Sequence, residues 1–169
     1  SDGRLNKLTD AQEQSTQLSY DTAALTQTVT DQLGHPTVVS YDSKGNVIKS
    51  QSQTNNLVLT GYNTTTGLVT SQTLVVGQID SVGNGETNDL TTTFTYDANG
   101  NVATQTDPLG NVTRYTYDAF NQPISVVDPL GETTKDVTDP VTGSLLRTTD
   151  PYGTTAIFAY NALGSAVSI

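Results

Sequence analysis

Tyr followed by Asp or Asn recurs in this chain at Tyr20, Tyr41, Tyr62, Tyr96, Tyr117 and Tyr160. The steps Tyr20 to Tyr41, Tyr41 to Tyr62 and Tyr96 to Tyr117 are each 21 residues, and Thr138 stands another 21 beyond Tyr117. From Thr138 to Tyr160 the step is 22, and only Tyr62 to Tyr96, at 34, breaks the phase. A fixed short period means that one supersecondary unit is repeated and that each copy leans on its neighbours. Over 169 residues this predicts a serial array running through 1–169 as one repeat domain. Stepping back 21 from Tyr20 passes the first residue, so the chain reads as a slice cut within a repeat at both ends.

A second mark falls about halfway between the first ones. Asp-Pro-x-Gly stands at Asp107-Pro108 to Gly110, Asp128-Pro129 to Gly131 and Asp150-Pro151 to Gly153, and Asp31 to Gly34 has the same ends. The Tyr-Asp mark shares this D-x-x-G form at Asp42 to Gly45 and Asp97 to Gly100. An Asp side chain at the first turn position accepts hydrogen bonds from the backbone ahead, Pro at the second fixes φ near −65°, and Gly at the fourth permits φ > 0. The pattern predicts type I turns closed by a glycine bulge. Asn121 takes the glycine place after Asp118, and Asn is the residue that best tolerates that conformation after Gly.

Between marks lie segments of about six or seven residues rich in Thr, Val and Tyr, such as Asn111–Tyr117 and Pro123–Val127. They have strand composition and alternate in character, with Thr113, Tyr115 and Tyr117 on one face of their segment. No stretch carries a sustained helical period, and Thr9–Gln17, the most polar segment, fits a worn repeat turn. The expected fold is all-β: serial antiparallel β-hairpins at a period of about 21 residues, forming a ribbon, open spiral or β-solenoid-like array. With 34% hydrophobic residues, the core should be thin, and the six repeat tyrosines are its expected packing residues between successive hairpins.

The net charge of −10 opposes binding to nucleic-acid phosphates or anionic membranes, and no apolar run is long enough to span a bilayer. With no Cys and one His, the chain has neither thiolate metal sites nor a cysteine nucleophile. His35 precedes Pro36 just past a turn and reads as a surface turn residue, since nothing in the sequence nominates a nucleophile for it. Asp97 to Asn101 resembles the start of a calcium loop without its closing Glu. The acidic residues of the marks sit where a turn needs them. The reading is therefore a non-enzymatic chain without catalytic, cofactor or metal residues.

The extra residues between Tyr62 and Tyr96 are the most individual feature. Asp80 to Gly83 repeats the D-x-x-G form midway between Asn63 and Asp97, which predicts a lengthened hairpin with its tip at 77–89. Asp80, Asn84 and Glu86 are its candidate binding residues, because loops that interrupt a regular repeat are where binding concentrates. Asn84-Gly85 is also a deamidation candidate.

Tyr-Asp-x-x-Gly followed about ten residues later by Asp-Pro-x-Gly, at a period of 21, resembles the YD-repeat or Rhs-repeat family. That family contains bacterial Rhs polymorphic toxins, wall-associated proteins, the shell subunits of insecticidal toxin complexes and teneurin ectodomains. The resemblance implies a long β-ribbon wound into a hollow shell, which in toxin members encloses a C-terminal toxic domain. It implies a structural segment of a large secreted or cell-surface protein, whose partners are the rest of the parent chain and an enclosed toxin domain. Two alternatives stay open: a surface adhesion module binding glycans or a partner cell, and a filament subunit self-associating through exposed terminal strands.

Overall fold

The computed structural model describes residues 4–54, 56–76, 89–161 and 163–167. The chain forms two compact units, Ser1–Thr92 and Thr93–Ile169. The first holds β1 (Lys7–Thr9), β2 (Ser15–Asp21), β3 (Thr26–Thr30), β4 (Pro36–Tyr41), β5 (Val47–Ser52), β6 (Leu57–Tyr62), β7 (Val69–Val75) and the opening residues of β8 (Leu90–Tyr96). The second continues β8 and adds β9 (Val102–Thr106), β10 (Val112–Tyr117), β11 (Pro123–Val127), β12 (Thr133–Thr138), β13 (Leu145–Thr149) and β14 (Thr155–Ile157). Strand order follows chain order from β1 to β14, and β15 (Ala159–Tyr160) pairs with β16 (Ala166–Val167) as a separate ribbon. This is the all-β array of serial antiparallel hairpins that the period predicts.

Antiparallel order sends successive turns to opposite edges. In each unit one edge carries the turns that follow the repeat tyrosines, here called the tyrosine row. The opposite edge, here called the proline row, carries the turns opening at Asp10, Asp31 and Ser52 in the first unit and at Asp107, Asp128 and Asp150 in the second. In each D-x-x-G turn the glycine N–H donates to the Asp carbonyl and the Asp N–H donates to the carbonyl four residues on. At Asp31 these distances are 3.0 and 3.1 Å, and at Asp97 they are 3.2 and 2.9 Å. Gly34, Gly45, Gly100, Gly110, Gly131 and Gly153 have φ of 84–87°. This is the three-residue hairpin loop built on a type I turn and a left-handed bulge residue.

Among the described residues, three other than glycine take up the left-handed conformation: Glu13 (φ 63°), Leu25 (φ 52°) and Asn121 (φ 60°). Asn121 is the substitution legible in the sequence. Glu13 closes the worn turn, with its N–H 3.1 Å from the Asp10 carbonyl. Leu25 ends a longer loop in which Asp21 Oδ1 accepts from the N–H groups of Ala23 and Ala24. Asn63 to Gly67 and Asp139 to Gly143 are loops of the same longer kind, each with one residue more before the glycine, as their spacing indicates.

Register slips at one recurrent place. It shifts at Ser40/Tyr41, Gly61/Tyr62, Thr95/Tyr96, Thr116/Tyr117 and Val137/Thr138. The partner strand contributes one extra residue each time: Ile48, Thr70, Ala103, Ile124 and Leu146. Such bulges bend and twist a strand. Apart from β3 and β4, which pair over five positions, hairpins closed by proline-row turns are short-paired. β5 meets β6 only from Lys49↔Leu59 to Gln51↔Leu57, and β9 meets β10 only from Thr104↔Arg114 to Thr106↔Val112.

Little of the chain is sealed from water. Among the described apolar side chains only Leu57 (0%) and Val75 (6%) are buried, and they sit opposite each other across β6 and β7. Most strand residues are half-buried, so ladder hydrogen bonds and cross-strand pairs, each contributing roughly 0.2–1 kcal/mol, carry the load that a thick core carries elsewhere.

Backbone strain in the turns makes two opposite changes testable. Replacing Glu13 with Gly should raise stability by about 1 kcal/mol, because a Cβ in this region costs roughly that much. Gly100→Val should lower it, since a β-branched residue is forced to φ of 87°. Urea unfolding of both variants checks the assignment, and equal midpoints for Gly100→Val and the parent would refute it.

Candidate functional site

The recurrent polar element is the turn carboxylate. In each three-residue turn, Asp Oδ1 accepts from two backbone N–H groups, two and four residues ahead. At Asp97 the donors are Asn99 and Asn101, both at 2.9 Å, and at Asp107 they are Leu109 (2.9 Å) and Asn111 (2.8 Å). The same pair of bonds is made at Asp31, Asp42, Asp128 and Asp150. Where Asn follows the glycine, its side chain donates to Oδ2: Asn46 to Asp42 at 2.9 Å, Asn101 to Asp97 at 3.1 Å, Asn111 to Asp107 at 2.8 Å.

Donors aimed at a carboxylate favour its ionised form. The Asn46, Asn101 and Asn111 side chains, followed by backbone N–H groups, hold Asp42, Asp97 and Asp107 below the ordinary value of 3.8. Asp31 is lowered chiefly by the His35 N–H, Asp118 by the Thr138 hydroxyl, and Asp139 by the Thr142 N–H. Asp31 is exposed and the other five are half-buried.

The tyrosines add a polar tie that the spacing did not reveal. Where a short-paired hairpin stops pairing, the phenol reaches back 15 residues to a backbone carbonyl. Tyr62 donates to Val47 at 2.9 Å, Tyr117 to Val102 at 3.0 Å, Tyr160 to Leu145 at 2.9 Å and Tyr20 to Leu5 at 3.0 Å. Tyr41 is different, and the difference has a cause. The hairpin of β3 and β4 pairs over five positions, so the Tyr41 phenol meets the Gln27 side chain instead, at 2.7 Å. Thr138, in the tyrosine position of its repeat, is too short to reach a carbonyl and donates to Asp118 Oδ2 at 2.7 Å. Tyr96 lies at the end of β8, at its own register shift. Burial pushes the Tyr117 phenol up from its ordinary value.

Other side chains join neighbouring turns of the tyrosine row. Asn101 Nδ2 donates to Asn121 Oδ1 at 2.8 Å, and Lys44 Nζ donates to the Thr64 carbonyl at 2.6 Å.

His35 has an orienting partner after all: its Nδ1 is 3.1 Å from Asp31 Oδ2, with both side chains about half exposed. Both line a cleft of about 480 Å³ together with Val29, Pro36, Ser52 and Thr54. Among the described residues, Ser52 Oγ bonds Thr54 Oγ1 at 3.0 Å rather than the imidazole, so this pair has no aligned nucleophile. No group of three metal-ligating side chains occurs among the described residues. Asp97, the start of the calcium-like sequence, has both oxygens engaged by its own turn. No helix is long and apolar enough to cross a membrane among the described residues.

The candidate binding residues Asp80, Asn84 and Glu86 lie outside the described residues, as does Asn84-Gly85. The arms that lead to them are described: Thr73 and Thr91 join hydroxyls at 2.9 Å, and the Val76 N–H donates to Asp89 Oδ1 at 3.1 Å.

The RHS Repeat family profile matches residues 96–133. A search of curated proteins finds no match. Among solved structures, the crystal structure of TcdB2-TccC3 without hypervariable C-terminal region aligns over 98% of this chain and 11% of its own, at 19% identity and a TM-score of 0.54. The crystal structure of TcdB2-TccC3-TEV aligns over 98% of this chain and 11% of its own, at 18% identity and a TM-score of 0.53. The likeness is one of fold, and this chain spans a small part of the length of those it matches.

Two outcomes follow from the site geometry. Tyr117→Phe removes one phenol bond and should cost about 0.5–1.5 kcal/mol in urea unfolding. Acid should weaken the fold through the turns. A carboxylate lowered in the folded state contributes stability that is complete above the unfolded value, here 3.8, and is lost as pH falls through the lower folded values. Thermal midpoints should therefore hold steady near neutrality and drop below about pH 4, with a shallower drop in Asp97→Asn. An Asp97→Asn profile superimposable on the parent's would refute the role of that carboxylate.

Proposed function

We propose that this chain, in which residues 96–133 match the RHS Repeat profile and the same unit recurs to either side, is a YD/Rhs-repeat segment with a structural role in a larger secreted or cell-surface protein. In this reading the segment is wall: a stretch of β-ribbon that forms part of a scaffold or toxin-enclosing shell and carries no catalysis. The rest of the parent chain, including an enclosed C-terminal toxic domain, is its partner.

The observation that carries the reading is what the polar side chains are used for. The turn carboxylates cap their own loops, and the tyrosine hydroxyls bridge the open ends of the short-paired hairpins. These devices extend an array without limit and assemble no reaction centre. The fold likeness to the TcdB2-TccC3 structures supports the same reading, because the aligned segment is likewise a small part of a much longer chain.

The test is made on the native parent protein, with its mass measured under native and then denaturing conditions. A C-terminal polypeptide that stays bound natively and separates on denaturation is the expected outcome for shell wall. A single uncleaved chain would overturn the enclosing role.

A further inference from the structure

Charge is sorted by position in the unit Thr93–Ile169. Its basic residues are Arg114, Lys135 and Arg147, and its eight acidic residues are all in turns or just past them except Asp136. Register places the three cations on one face. Arg114 is opposite Val127, which is opposite Thr133, and Lys135 follows two residues on. Lys135 is opposite Thr149, two residues from Arg147, which is itself opposite Val137 and Ile157. Directly opposed residues, and residues two apart in a strand, share a face. Asp136 is on the other one. The result is a diagonal basic strip across β10, β12 and β13, with no carboxylate from any strand on its face.

All three cations are exposed, and none makes an ion pair or hydrogen bond with a described residue. Beside them Val137 is 40% and Ile157 64% exposed. A basic, partly apolar strip left open in a chain of net charge −10 is complementary to an acidic, apolar surface.

The same unit carries such a surface on its proline row. The turn chemistry needs Asp, Pro and Gly, and nothing local calls for a large apolar residue at the third position. Yet Leu109, Leu130 and Tyr152 stand there, 84–86% exposed. Each sits beside its turn carboxylate, and Asp128 and Asp150 use only Oδ1 for the turn. These tips recur every second strand, about 10 Å apart. Arg114 and Lys135 recur at the same two-strand spacing, so a row of tips laid on the strip meets it in step.

We propose that the tips Leu109, Leu130 and Tyr152 of one copy dock on the Arg114–Lys135–Arg147 face of a second copy of this chain. The two surfaces differ, so the contact is heterologous, and each pairing leaves one tip row and one basic face open for further copies. This goes beyond the structural role proposed above and does not rest on it.

Sedimentation velocity of the intact chain over a range of concentrations, at about 0.01 M and about 1 M salt, tests it; the Debye lengths are about 30 and 3 Å. The wild type should associate at low salt and dissociate at high salt. The variants R114E/K135E/R147E and L109K/L130K/Y152K should each sediment as monomers while unfolding at the parent's temperature. Mixed in equal amounts, they should associate again, because the charges are exchanged between the two surfaces. A wild type that stays monomeric throughout overturns the proposal. So do variants that associate like the parent, which would assign association to the edge of β1, and so does a mixture that stays monomeric. If one variant does not fold, the other and the salt series decide.

Discussion

A carboxylate oxygen accepting two backbone N–H groups is the interaction on which this molecule depends. In a hairpin array with almost no sealed core, direction must be reversed reliably every ten or so residues. An Asp at the first turn position does this by satisfying the loop's own donors, while the glycine takes the left-handed conformation that closes the hairpin. The strands between turns are short and Thr-rich, with modest intrinsic strength. Correct turns keep their alternation in phase, so that aromatic residues stay on one face.

The tyrosines solve the problem that this solution creates. Turns at both ends of the strands, with a bulge beside most tyrosine-row turns, leave all proline-row hairpins but that of β3 and β4 paired over three positions among the described residues. The sheet would open there if nothing bridged it. A phenol on the incoming strand is long enough to cross the gap and donates to the carbonyl on the far side. The exception supports the cause: β3 and β4 pair fully, and Tyr41 takes a different partner. Asn101 and Lys44 reinforce the tyrosine row from outside. Stability is thus a sum of neighbour contacts, which suits a chain made to extend.

Such a design also commits polar side chains to the backbone. Asp31, Asp42, Asp97, Asp107 and Asp139 are held ionised by donors of their own loops, and Asp118 chiefly by the Thr138 hydroxyl. Among the described residues, the His35–Asp31 pair is the nearest approach to an acid–base device, and Ser52, a hydroxyl lining the same cleft, bonds Thr54. What the unit Thr93–Ile169 does present outward is pattern: apolar tips beside carboxylates on an edge, cations on a face, both at the spacing of the repeat.

The fold class, the repeat, the turn type and the place of most turns were legible in the sequence, because each depends on residues within four positions of one another. Asp, Pro and Gly at fixed offsets leave the backbone little choice, and strand-forming residues between them leave only hairpins. Glu13 and Leu25 were not legible in the glycine role, since neither favours it; there the surrounding ladders impose a strained conformation that local preference opposes. The tyrosine ties were hidden for another reason. A phenol's partner depends on where the ladder stops, and that depends on bulges, which leave no mark in composition. The sorting of charge between edge and face belongs to the same class. Arg114, Lys135 and Arg147 are scattered in the chain, and only the register of four strands brings them to one side.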